Sequence, residues 1–292
     1  MEQRKNTVPY MHRNQVMLKV PTVKNRRAYQ ALTALFVNFH LWNIFTGKLY
    51  EGKLKSLPFP VMNCYACPAS VYSCPIGTLS HFLVLSKVPF VVLGLLTVVS
   101  TAFGRWICGW MCPFGLLQDL LYRLPSWKFD LPPKLQSVRF IMLVVAVVAL
   151  PLLYHKHFFC MVCPVGTVEA GIYWTLVSVA ILNMAGAFFL FKLSVATLVA
   201  YMSVFVKRPF CRYLCPLGAF FSIFNRFSMV DFEVDKDACI ECNLCRKACP
   251  VNHPVYLSPN ATACIRCLNC VRVCPAVKLR YHIFDANREV AL

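Results

Sequence analysis

Four apolar stretches organise the chain, at about residues 28–45, 88–104, 139–154 and 168–206. Each of the first three is slightly shorter than the roughly 20 residues that span a bilayer core, so they predict membrane crossings whose flanking groups sit at the interface. The last stretch is too long for one crossing. Lys192 divides it, and Lys87 stands at a matching place before the first repeat of the same cysteine motif, so both can snorkel to one interface. Residues 193–206 are therefore expected to cross, with 168–190 as an interfacial or re-entrant helix. The alternative is two crossings there, which would move everything after residue 206 to the other side.

Composition narrows the class. The 292 residues are 58% hydrophobic and only 14% charged, against roughly 25% charged in a soluble domain, which excludes an ordinary soluble enzyme. The net charge of +18 admits either nucleic acid or a membrane surface. Residues 1–230 hold 22 basic and 5 acidic side chains, whereas residues 231–292 hold 8 and 7, so the surplus belongs to the apolar part. No nucleic-acid partner is expected; the lipid bilayer is. With four crossings, the inner segments 1–27, 105–139 and 207–226 carry 16 Lys/Arg against four in the outer loops. The positive-inside rule then places both termini in the cytoplasm of a prokaryotic inner membrane. Residues 1–27 lack the apolar core of a secretory signal and read as a basic cytoplasmic flank. Residues 28–230 read as the membrane domain and 231–292 as a separate C-terminal domain.

The chain has 17 cysteines. Cys239, Cys242, Cys245 and Cys249-Pro are spaced C-x2-C-x2-C-x3-C-P, and Cys264, Cys267, Cys270 and Cys274-Pro repeat that spacing. Three thiolates on a tight turn reach three irons of one cluster, and the fourth reaches the neighbouring cluster. One 4Fe-4S centre is thus expected on Cys239, Cys242, Cys245 and Cys274, and a second on Cys264, Cys267, Cys270 and Cys249. Structural zinc is the competing reading, and disulfides are disfavoured in a reducing compartment. Residues 231–283 resemble the bacterial two-cluster ferredoxin module, which implies electron relay.

The other nine cysteines form an internal repeat. Cys108-Gly-Trp-Met-Cys112-Pro-Phe-Gly recurs as Cys211-Arg-Tyr-Leu-Cys215-Pro-Leu-Gly, and Cys74-Pro-Ile-Gly and Cys160-Met-Val-Cys163-Pro-Val-Gly are variants. The first variant follows Cys64-Tyr-Ala-Cys67-Pro. Segments 28–115 and 139–218 are thus parallel repeats of crossing, outer cysteine set, crossing and inner cysteine set. Topology gives four thiols on the inner side, Cys108, Cys112, Cys211 and Cys215, the number one 4Fe-4S cluster requires. It gives five on the outer side, Cys64, Cys67, Cys74, Cys160 and Cys163, one more than a cluster needs. Reduced thiols or a copper-binding pair compete at the inner set, and disulfides or another metal at the outer one.

From about residue 28 to 283 these motifs resemble the NapH/NosR/CcoG-type polyferredoxin membrane proteins, closest in layout to quinol-dehydrogenase membrane subunits. The added outer Cys-Pro loops mark a divergent branch. The resemblance implies a membrane all-α fold of four transmembrane helices plus a C-terminal α+β ferredoxin domain on the cytoplasmic side. It also implies electron transfer between the quinone pool and redox partners, as an electron-transfer subunit of a respiratory oxidoreductase of quinol dehydrogenase type. Two to four 4Fe-4S clusters are expected, with quinone as a further cofactor. Other subunits of a membrane complex, or a soluble ferredoxin, flavodoxin or cytochrome, are the expected partners. A thiol or copper-handling factor for oxidase maturation is the alternative function.

Other residues add less. His40, His155 and His157 form no evident axial pair for haem, which is not expected. Glu169 and Asp119 are the acids nearest the outer and inner sets; they could accept quinol protons, but read more simply as helix-start or surface carboxylates. Trp106, Trp110 and Trp127 suit an interfacial aromatic belt.

Overall fold

The computed structural model describes residues 25–184 and 186–281, so most of the basic flank 1–27 lies outside the described residues. The described chain is mostly helical. Two helices are long and apolar enough to cross a membrane, Pro133–Tyr154 and Ala187–Phe205, and each has only 17% of its most apolar window buried inside the protein. The core helix of a soluble protein would bury that surface. Here Ile141, Val144, Leu153, Leu190 and Leu198 stay exposed, which suits a lipid solvent. The apolar helices Pro75–Val84 and Phe90–Phe103 are shorter and pack against each other. The longer of them covers about 21 Å, less than the roughly 30 Å hydrocarbon core.

The apolar stretches break at places the hydropathy pattern does not mark. The first is two short helices, Arg26–Val37 and Trp42–Thr46, the second closed by Gly47 in the left-handed conformation at φ 63°. The last divides before Lys192 and not at it. Ile172–Val177 stops at an extended Ser178, Val179–Met184 follows, and Ala187–Phe205 begins after an extended Gly186. Lys192 therefore lies about one and a half turns inside this helix. Glycine disfavours helix on backbone entropy, whereas a lysine can stay in a helix and extend its amine to the interface.

The ferredoxin part opens on strand β1 (Val230–Val234) and closes on strand β2 (Val277–Tyr281), antiparallel with Phe232 opposite Leu279. Two short helices, Leu244–Ala248 and Asn269–Val273, pack together between them. Trp110, from the membrane part, completes this small core beside Phe232, Val255, Leu268 and Val277. The larger core lies among the membrane helices, where Ile76, Leu96, Phe114, Val147, Phe210 and Phe221 surround the membrane cysteines.

Candidate iron–sulfur sites

Four of the five membrane Cys-Pro cysteines share one local geometry. Cys74, Cys112, Cys163 and Cys215 each adopt extended backbone, ψ 112° to 127°, just before a proline that opens a helix. Proline bars its predecessor from the helical region and favours the first helical position. The sulfur is thereby held at a helix start, where unpaired N–H groups face it. Gly218 N–H donates to Cys215 Sγ at 3.3 Å.

The structure brings the four inner cysteines together. Cys108, Cys112, Cys211 and Cys215 are buried and line one cavity with Met62, Phe114, Phe210 and Leu217. Cys108 sits on the helix Trp106–Trp110 and Cys211 on a π-helical turn, Phe210–Leu214. Each half of the repeat clasps the other. Arg105 Nη2 donates to Cys211 O at 3.0 Å, and Arg208 Nη1 donates to Cys108 O at 2.9 Å. A Cβ on Gly218 would stand 3.1 Å from Arg105 Nη2, and one on Gly115 would stand 3.3 Å from Arg208 Nη1. In the two inner Cys-Pro-x-Gly loops the glycine is thus explained by an arginine approaching from the other half, whereas a Cβ on Gly166 of an outer loop would meet Cys64 Sγ at 3.4 Å.

Gln118 completes the inner site, donating from Nε2 to Cys211 Sγ at 3.0 Å and accepting Phe210 N–H at 3.1 Å. Asp119 is no surface acid. Arg208 grips it at 2.7 and 2.6 Å and Arg26 at 2.7 Å. Burial pushes this carboxyl up, but the two guanidiniums outweigh burial and hold it below the usual carboxylate range.

Four of the five outer cysteines also meet. Cys64, Cys74, Cys160 and Cys163 line a second cavity with Asn63, Tyr65 and Phe159, and Cys67 is not in its wall. Thr78 and Thr167 hydroxyls donate to Cys74 O and Cys163 O, both at 3.0 Å. Glu169 Oε2 accepts Cys64 N–H at 2.6 Å, so this carboxylate positions the Cys64 loop. Met62 lines both cavities. Its backbone N–H faces Cys112, while the next N–H, of Asn63, faces Cys74. Two successive peptide units, on either side of the Met62 Cα, therefore face one site each.

In the ferredoxin part the two runs fold alike. Glu241 and Asn243 in the first, and Arg266 and Leu268 in the second, occupy equivalent positions at positive φ, 50° to 64°. A bulky residue such as Leu268 rarely holds that conformation unless its surroundings impose it, and the repetition marks both turns as wrapping a common shape. Cys249 packs with Cys267 and Ile265, and Cys274 lies beside Cys245, so the fourth cysteine of each run crosses to the other. The runs differ in exposure. Cys264, Cys267, Cys270 and Cys249 are all buried, whereas Cys239 and Cys274 are half-buried and Cys242 is exposed.

Burial pushes the Cys264 and Cys267 thiols up to about 11, so in isolation they would stay protonated at neutral pH. A bound cation reverses that preference and deprotonates a coordinating thiol. Among the described residues no three His, Cys, Asp or Glu side chains gather closely enough to hold one ion. A 4Fe-4S cluster asks for less convergence, because each thiolate binds its own iron. Four all-thiol donor sets fit 4Fe-4S clusters.

The buried second run is docked on the inner membrane loop. Trp110 Nε1 donates to Arg266 O at 3.2 Å, and Asn225 Nδ2 donates to Ala261 O and Cys264 O at 3.0 and 2.8 Å. A Cβ on Gly109 would lie 2.5 Å from Ile265 O, so the two backbones meet there without room for a side chain. Trp110 is consequently an interface residue and not part of an aromatic belt; it stacks on Trp106 at 5.5 Å. Trp127 is the exposed one of the three. His157 stacks on His81 at 5.5 Å. His155 Nδ1 pairs with Val84 O, and His40 stacks on Tyr50. The arginines around the inner site were also missed as site residues, although Arg105 and Arg208 stand at the same place before Cys108 and Cys211.

Comparison with known proteins agrees with this chemistry. Residues 85–132, 137–183 and 187–232 match a 4Fe-4S binding domain family, and residues 232–252 match a further 4Fe-4S binding domain. An uncharacterized protein of Methanocaldococcus jannaschii is 34% identical over 190 residues, 61% of this chain and 73% of that protein. The putative electron transport protein YccM of Escherichia coli is 27% identical over 195 residues, 61% of this chain and 52% of YccM. Protein NirI of Paracoccus denitrificans is 35% identical over 170 residues, 55% of this chain but 23% of NirI. No solved structure matches the chain. The protein thus binds multiple 4Fe-4S clusters. The chain belongs to the polyferredoxin-type family of 4Fe-4S binding membrane proteins, the NosR- and NapH-like group.

Proposed function

We propose that the protein is a membrane electron conduit with four cysteine sites in series. Cys64, Cys74, Cys160 and Cys163 would hold an outer cluster, and Cys108, Cys112, Cys211 and Cys215 an inner one. Cys264, Cys267, Cys270 and Cys249 would hold a third, and Cys239, Cys242, Cys245 and Cys274 a fourth. When bound, the clusters supply one-electron carriers; the residues set their order and spacing. The observation that carries the reading is the shared Met62 wall between outer and inner cavities. A hydrocarbon core about 30 Å thick is too wide for a single hop between its faces. Met62 brings the two membrane sites together, with protein covering the irregular backbone between them as the bilayer requires.

The remaining steps follow the packing. Arg105 lines the inner cavity and donates to Thr262 O and Ala263 O, the residues that lead into Cys264. Buried Cys264 and its partners face the membrane part, and exposed Cys242, beside exposed Ile240 and Leu244, is the port to a soluble redox protein or another subunit. The outer end would exchange electrons with the quinone pool or an outer redox partner. Four crossings with the ferredoxin part on the cytoplasmic side remain the topology that best fits the charge bias. The electron-transport name of YccM is consistent with this role.

Proteoliposomes test it directly. A membrane-impermeant reductant on the outer face should bleach the ferredoxin-part clusters across the bilayer in the wild type. Cys112→Ser, which opens the middle of the series, should abolish that bleaching while direct reduction from the ferredoxin side persists. Equal bleaching in both proteins would contradict the series.

A further inference from the structure

Six arginines are buried around the inner cysteines and the second ferredoxin run: Arg26, Arg105, Arg139, Arg208, Arg212 and Arg266. Arg26 and Arg208 share Asp119, and Arg212 meets Asp130 at 2.9 Å. Arg266 donates to Phe103 O and Asn225 O at 3.3 and 2.6 Å, and what sets Arg105 and Arg139 apart is that they converge on one acceptor. Each is 1% exposed, and neither forms an ion pair among the described residues. Their hydrogen bonds go to carbonyl oxygens, and the Arg139 guanidinium also lies over the Phe140 ring at 4.9 Å. Both donate to Thr262 O, at 2.8 and 3.1 Å, and Arg105 also reaches Ala263 O and Cys211 O. Arg105 Nε and Arg139 Nε and Nη1 have no hydrogen-bond partner.

Two buried like charges sharing one acceptor are strongly disfavoured unless an anion stands near them. The cysteine sites lie where that anion is needed. Arg105 lines the inner cavity, Arg139 is within electrostatic range of Cys108 and Cys215, and Arg105 is within range of Cys264. A cluster held by four thiolates is a net anion, and a one-electron reduction adds a further negative charge.

We infer that Arg105 and Arg139 form a cationic bridge between the inner cysteine site and the Cys264 site, supplying the counter-charge that favours the reduced form of both clusters. The inference rests on the cluster assignments proposed above. The step concerned is uptake of one electron from a reductant, with no bond made or broken and no proton required. Arg105 and Arg139 act as positioning residues for charge at the two sites they reach, the inner one and the Cys264 one.

Potentiometric EPR titration of the full chain in detergent, with dithionite as reductant, reads the effect. Signals are assigned with Cys112→Ser and Cys270→Ser. Arg105→Gln and Arg139→Gln should each lower the reduced-to-oxidised ratio of the inner and Cys264-site signals about tenfold at fixed potential, or about 59 mV for one electron. The Cys239-site signal should stay put, and Arg105→Lys, which keeps the charge, should titrate like the wild type. Gln variants that keep their iron and titrate like the wild type overturn the bridge. If Arg105→Gln loses iron, Arg105→Lys decides: iron regained at the wild-type potential supports a role of charge, and iron lost in both variants overturns it. A wild-type protein with no inner signal overturns the cluster assignment itself and takes the bridge with it.

Discussion

The inner and outer cysteine cavities use the same Cys-Pro-x-Gly device in different surroundings. At the inner cavity each half of the repeat supplies two cysteines and one arginine that clasps the other half, and Asp119 ties Arg208 to Arg26. At the outer cavity each half again supplies two cysteines, Cys64 and Cys74 from one and Cys160 and Cys163 from the other, but among the described residues no arginine lines the wall. Neutral hydroxyls and one carboxylate, Glu169, hold that backbone. The repeat thus gives two sites in different electrostatic surroundings: buried arginines at the inner one, and at the outer one Glu169, with Lys55 and Lys192 within electrostatic range of its cysteines. Cations favour added negative charge, so the inner site is expected to hold an electron at higher potential than the outer one.

The largest test of this comparison is to remove one site at a time. Cys112→Ser and Cys74→Ser should each lose about four irons per chain and a different EPR signal, and loss of the same signal in both would merge the two sites into one. Asp119→Asn comes next. It strands Arg208 and Arg26, and breaking a buried pair costs about 3–5 kcal/mol. The inner signal should be lost at lower temperature in a melt followed by EPR, with the outer signal unaffected.

The sign of the pH effect follows from the same pair. Asp119 is held below the usual carboxylate range in the folded protein, so its contribution is complete above the ordinary Asp value of about 3.9. It is lost only as pH falls through the lowered folded value. Inner-signal retention should therefore stay flat at neutral and mildly acidic pH and fall only in strong acid; a decline near neutrality would contradict the assignment.

Gly109→Ala should act more weakly and at the ferredoxin junction. Its methyl group would press on Ile265 O, a clash costing about 1–3 kcal/mol, and limited proteolysis should cut the ferredoxin part faster with both membrane signals intact. Cys67→Ser should do least, leaving iron content and the outer signal unchanged. Loss of the outer signal would make Cys67 a ligand in place of one of the four that line the cavity.

What could be read from sequence follows what each feature constrains. The ferredoxin runs were legible because four thiolates on a tight turn permit few spacings, and the inner set was legible because Cys108/Cys112 recurs as Cys211/Cys215. The outer set was ambiguous because Cys64 and Cys67 lie in a loop without periodicity, so only folding separates the wall residue from its neighbour. Arg105 and Arg208 were visible but read as topology, since a basic residue at an inner helix end serves orientation and charge compensation equally well. Arg139 could not be linked to Thr262 by any local pattern, because their contact joins distant segments. The helix breaks at Asn38 and Ser178 carry no proline and interrupt no hydropathy run.

The central claim is that four cysteine sites are filled and arranged in series. Anaerobic iron and acid-labile sulfide analysis of the purified chain, with copper measured on the same sample, tests it most directly. About 16 Fe per chain, from four four-iron clusters, is the result the account predicts. About 8 Fe with bound copper would contradict it, leaving a two-cluster ferredoxin on a copper-handling membrane domain.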